Sequence, residues 1–176
     1  MAPSSAPIDT PAAAATTDRL IAFLRDIGLR VDAEPLATPG FLPGVAIRAG
    51  GLVVDRVALQ WPGDLLHEAG HLAVMPAALR PAQSGALHDC EHVPHAGEAE
   101  AMAWAYAAAC AVGLSARELF HAGGYHGQGE ALATTFGFGV YPGLHGLMQA
   151  GMAYGLAEAR TLGVEPFPHM RRWLRA

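Results

Sequence analysis

The chain has 176 residues, 52% of them hydrophobic and 15% charged, with a formal net charge of −5. That length suits one domain with a core of its own and no need of disulfide staples. The acidic balance and the lack of a basic stripe exclude a nucleic-acid footprint, and no run reaches the roughly 18 apolar residues of a membrane span.

The opening MAPSSAPIDTPAAAATT has neither the basic n-region nor the continuous apolar stretch of a signal peptide. Its Pro, Ala, Ser and Thr predict a flexible leader over residues 1–16, a single domain over 17–176 and a cytoplasmic setting. Leu20, Ile21, Phe23, Leu24 and Ile27 recur at helical spacing, with Thr17 or Asp18 placed as a cap and Gly28 as a stop. After a Pro/Gly-punctuated connector, VAIR (45–48) and LVVDRVAL (52–59) flank Ala49-Gly50-Gly51, the pattern of a β-hairpin. Pro62 and Gly63 break that pattern, and Asp64 is placed to cap a helix from Leu65 to about Val74. Residues 77–96 read as irregular, and 97–112 as a long helix ended by Gly113. Ser115 and Glu118 have the spacing of a capping box that opens a short helix to His121. The glycine-rich but apolar third that follows predicts short helices near 129–136 and 143–159. The closing PHMRRWLRA predicts a solvated helical tail, where Arg171, Arg172 and Arg175 suit the negative end of the dipole. Helix, hairpin, then helices describes an α+β fold, mainly helical with a small antiparallel sheet. Two cysteines, Cys90 and Cys110, make no disulfide framework.

The sharpest signal is PGDLLHEAGHLAVMP, residues 62–76. His67-Glu68-Ala69-Gly70-His71 matches H-E-x-x-H. Nine histidines and nine glutamates in this chain would produce that pattern by chance about 2% of the time, so it is read as signal. On a helix the two imidazoles leave one face a turn apart, which lets both reach one Zn²⁺ at about 2.0–2.1 Å. Glu68 points about 100° away from His67, too far round to ligate comfortably but placed to hydrogen-bond a water at the metal. It would serve as general base. Two histidines and a carboxylate in one apolar helix are costly without a partner.

A third ligand is required. H-x-x-G-x-x-H does not follow, both cysteines lie downstream of the motif, and P-C-x-x-C is absent. GEAEAMAWA offers Glu98 and Glu100, which face nearly opposite sides of a helix, so one of the two is expected to ligate. LLHEAGHLAV followed by E-x-E-A-x-x-W-A resembles the ImmA/IrrE-type metallopeptidases, bacterial gluzincins, over roughly residues 45–112. The resemblance implies a zincin-like fold in which a small sheet packs on the active helix, one zinc, and regulated cleavage of protein substrates. It matches His67 and His71 to the ligand histidines and Glu68 to the catalytic base. Glu98 takes the third-ligand place, four residues before the position where the family has asparagine and this chain has Met102. Gluzincins also use a downstream His or Tyr to hydrogen-bond the oxyanion. Among His121, Tyr125, His126 and His145, the candidates are Tyr125 and His126, on a loop of glycines that can approach a substrate closely; the GGYHGQGE stretch itself has no counterpart in the family.

His88, Asp89, Cys90, His92 and His95 crowd one loop. They read as a solvated insertion, with a second metal site or a substitute third ligand as the alternative. Trp61, Trp104 and Trp173 read as packing residues. The strand at 52–59 offers an edge to which an extended peptide could add. The expected activity is zinc-dependent hydrolysis of a polypeptide, with no nucleic-acid or membrane partner. Its rival is a zinc-binding regulatory or scaffolding domain without catalysis, in which Cys90 or His92 closes the coordination sphere.

Overall fold

A computed structural model describes residues 11–37, 42–85 and 93–176. The chain is a mixed α/β protein, about 49% helical, with a three-stranded sheet. Helix α1 spans Pro11–Asp26, so residues 11–16 of the expected leader are helical. The alanines there have the best helix propensity, and proline is tolerated in a first turn. Thr17 does not cap this helix; its hydroxyl donates to the Ala13 carbonyl at 3.0 Å.

Strands β2 (Val45–Arg48) and β3 (Gly51–Val54) form the expected hairpin. Its two-residue turn, Ala49 (φ 46) and Gly50 (φ 72), has the positive φ pair that matches strand twist. Strand β3 stops at Val54, because the Asp55 carboxylate accepts from the Val57 and Ala58 N–H groups and curls the chain into a turn. A third strand, β1 (Val31–Ala33), pairs parallel to β3 and was not expected. The sheet is therefore mixed, in the order β1-β3-β2. Its central strand is β3, with both neighbours in place, so the proposed peptide-accepting edge at 52–59 does not exist.

Helix α2 (Pro62–Val74) is buried from Gly63 to its end. It contacts β2 and β3 and packs against α3 (Glu98–Val112). Gly70 lets the two helices close: a Cβ there would come within 2.5 Å of the Ala101 carbonyl oxygen. The carbonyls at the C-terminal end of α2, left over by any helix, are taken by two arginines from elsewhere in the chain. Arg80 donates to Leu72 and Met75, at 2.8 and 3.0 Å. Arg175 donates from its backbone N–H to Ala73 at 2.9 Å and from Nη1 to Val74 at 3.3 Å.

The basic tail is accordingly not helical; Arg171 and Arg172 are exposed as expected, while Arg175 is half-buried against α2. Trp104 Nε1 donates to the Trp173 carbonyl at 2.7 Å, and the Trp173 ring meets those of Phe23 and Trp104 edge-on. Beyond α3, Ser115 and Glu118 exchange both capping-box hydrogen bonds at the start of α4 (Ala116–Leu119). Helix α5 covers Gly129–Gly137. The single helix expected over 143–159 is two, α6 (Leu144–Gln149) and α7 (Leu156–Leu162), interrupted where Gly151 turns (φ 66) and Ala153 bridges to Met170. Glycine is required before α6: a Cβ on Gly143 would fall 2.0 Å from the Ala99 carbonyl oxygen of α3. No described helix is long and apolar enough to cross a membrane.

Candidate metal centre

His67 and His71 are 8% and 2% exposed. Their Nε2 atoms lie 3.3 Å apart, with the rings perpendicular. The Glu98 carboxylate straddles them, Oε1 at 3.4 Å from His67 Nε2 and Oε2 at 3.2 Å from His71 Nε2. Two imidazole nitrogens and a carboxylate brought together are all acceptors unless a proton or cation joins them. Bonds of about 2.0–2.1 Å to a tetrahedral zinc put neighbouring donors about 3.3–3.4 Å apart. The separations here, 3.2–3.4 Å, fit such a cation. Among the described residues this is the only group of three or more His, Cys, Asp or Glu donors within 4.8 Å of one another.

The carboxylate brought to the histidines is Glu98, at the first position of α3, where the Gly70–Ala101 approach carries it over α2. Glu100 turns back along the helix start, its Oε2 accepting from the Gly97 N–H at 3.2 Å. Met102 is half-buried against the apolar core.

Glu68, one residue along α2 from His67, is 6% exposed. Burial pushes its carboxyl up from 4.5 to about 7; the nearby His71 opposes this, and the Asp64 and Glu98 charges reinforce it. A general base is most effective with a pKa near the working pH.

Tyr125 sits against His67 edge-to-face, ring centroids 5.4 Å apart. Its hydroxyl is buried without a hydrogen-bond partner, and its backbone is left-handed, φ 55. Burial raises the phenol well above its ordinary range, with Asp64, Glu98 and Glu68 adding to the effect. His126, next in sequence, is exposed, as is His145; neither joins the cluster. His95 is half-buried and also lies outside it. His88, Asp89, Cys90 and His92 fall outside the described residues.

Asp64 does something other than cap. Helix α2 begins before it, with Trp61 at the N-cap position, and its Oδ1 lies 2.7 Å from His121 Nε2 in a pair that is buried on both sides. His121 stacks on Trp61 at 4.5 Å and 7°. The Gly123 N–H donates to His121 Nδ1 at 3.2 Å, which leaves Nε2 as the protonated nitrogen that donates to Asp64. In the sequence Asp64 reads only as a helix cap. His121, 57 residues further on, carried no signal of the pair.

No family model, curated protein or solved structure matches the chain. The family resemblance thus rests on the two motifs around His67 and Glu98.

Proposed function

We propose that this chain is a zinc-dependent metallopeptidase of zincin-like architecture, hydrolysing peptide bonds in a polypeptide substrate. The observation that carries this reading is the triangle of His67, His71 and Glu98 with the buried carboxyl of Glu68 beside it. His67, His71 and Glu98 would hold the metal, which supplies a Lewis acid for the scissile carbonyl and acidifies water. Glu68 accepts the proton of the attacking water and returns it to the leaving amine. Its burial favours taking the proton, because desolvation disfavours the charged carboxylate. Tyr125 has a buried hydroxyl with no other partner, free to donate to the oxygen on which charge develops. His126, exposed and outside the cluster, has no part in this reading.

A zinc closed by four protein ligands would be structural. Among the described residues no fourth His, Cys, Asp or Glu joins the group; Cys90 and His92, which the scaffolding reading would use, lie outside those residues. The test is elemental analysis of the full chain expressed with zinc, beside His71→Ala, Glu98→Ala and Glu68→Gln, followed by mass-spectrometric scoring of a peptide library. About one zinc per chain is expected in the wild type and in Glu68→Gln, with none in the other two variants. Cleavage should belong to the wild type alone. Wild-type chain without zinc, or Glu68→Gln cleaving like wild type, overturns the reading.

A further inference from the structure

His121 is tied into its surroundings on three sides. Its Nε2 meets Asp64 at 2.7 Å, its face lies on Trp61, and its Nδ1 accepts the Gly123 N–H. The chain then folds closely around the ring. A Cβ on Gly123 would come 2.6 Å from Trp61 Nε1, and one on Gly124 would come 3.0 Å from His121 Cε1. The next two residues, Tyr125 and His126, both adopt left-handed backbone (φ 55 and 51). Non-glycine residues seldom adopt that region and stay there only when the surroundings over-determine them. Tyr125 is the residue so held, and its ring rests on both His121 and His67.

We infer that the buried Asp64–His121 pair is a positioning device that holds the strained turn at 123–127, and with it the Tyr125 hydroxyl, over the His67–His71–Glu98 cluster. The inference rests on the metal-site reading for its purpose and on the hydrogen bonds of His121 for its mechanism. Asp64 keeps the His121 proton on Nε2, so that Nδ1 stays an acceptor for the Gly123 N–H. A neutral or missing partner at 64 lets the imidazole change tautomer, turning Nδ1 into a donor that opposes the Gly123 N–H. Because Asp64 belongs to the first turn of the helix that carries both histidines, the metal ligands and the tyrosine share one rigid reference.

Two measurements on the full chain test this. The first is amide hydrogen exchange by mass spectrometry, compared for wild type, Asp64→Asn and the double variant Asp64→Leu/His121→Phe. The double variant keeps a ring on Trp61 and buries no unpaired charge. In both variants the peptide covering 121–127 is expected to exchange about tenfold faster, while peptides of α1 and the sheet keep their wild-type rates. An unchanged loop, or acceleration spread evenly through the chain, overturns the inference.

The second is binding of acetohydroxamate to the cobalt-loaded protein, read from the visible spectrum of the metal. Tyr125→Phe and Asp64→Asn should each weaken binding about tenfold, and the two together no more than either alone. Losses that multiply would show that Asp64 does not act through Tyr125. A chain that takes up no cobalt counts against the metallopeptidase reading, and the exchange experiment still decides the positioning role.

Discussion

Gly70 of α2 faces the carbonyl oxygen of Ala101 on α3 so closely that a methyl group on it would come within 2.5 Å of that oxygen. The obstruction is backbone, which cannot swing aside as a side chain can. Gly70→Ala must therefore push α3 away, and with it Glu98. We expect a loss of about 1–3 kcal/mol, as for other overpacked sites, together with loss of bound zinc. Gly137 is the control: nothing lies within 4 Å of a Cβ there and its φ is not positive. Gly137→Ala should leave zinc content and thermal midpoint near or slightly above wild type.

The two glutamates of α3 should separate cleanly. Glu98→Gln weakens a metal ligand, so zinc per chain should fall with little change in the stability of the metal-free protein. Glu100→Gln leaves zinc in place, because Glu100 serves the Gly97 N–H; a glutamine oxygen accepts the same hydrogen bond, so stability should change little. Elemental analysis and urea denaturation of both variants check this, and reversed results would exchange the two roles.

Glu68 makes the metal-free protein sensitive to pH. Its folded-state carboxyl stands near 7 against an ordinary 4.5, so the folded chain holds that proton more tightly than the unfolded one. Stability is full below pH 4.5, falls as the pH rises to 7, and stays low above that. Glu68→Gln should therefore stabilise the metal-free protein at pH 8 by about 3 kcal/mol and by almost nothing at pH 4. Thermal melts at the two pH values test the sign. Zinc should shrink the difference, since a cation near Glu68 favours its charged form.

Arg80 donates to the carbonyls of Leu72, Met75 and Arg175. Arg80→Met keeps most of the apolar stem and leaves carbonyls at the end of α2 unpaired, with an expected loss of about 2–4 kcal/mol. The denaturation midpoint should fall with the slope unchanged.

What could be read from the sequence was local. The spacing of His67 and His71 fixes a shared helix face, and Ser115 with Glu118 announces a helix start, because both relations lie within one turn. The hairpin around Gly50 follows from two branched runs beside a turn. Strand β1 escaped, because three residues with only Val31 buried carry no period. The tail was misjudged for a different reason. Arg171, Arg172 and Arg175 look like a charged helix end, and only the tertiary fold brings Arg175 to α2. The residue pattern left Glu98 and Glu100 open and only the family resemblance favoured Glu98, which the helix crossing brings to the histidines; the Asp64–His121 pair spans 57 residues.

The Arg175 contact with Val74 bridges 101 residues. During synthesis the histidines of α2 leave the ribosome long before the segment that completes the end of their helix, and chains fold as their contacts become available. Until residue 175 has emerged, the Ala73 and Val74 carbonyls lack the Arg175 donors that the finished fold provides. The helix that carries His67 and His71 is thus completed at its end only by a segment 101 residues beyond Val74.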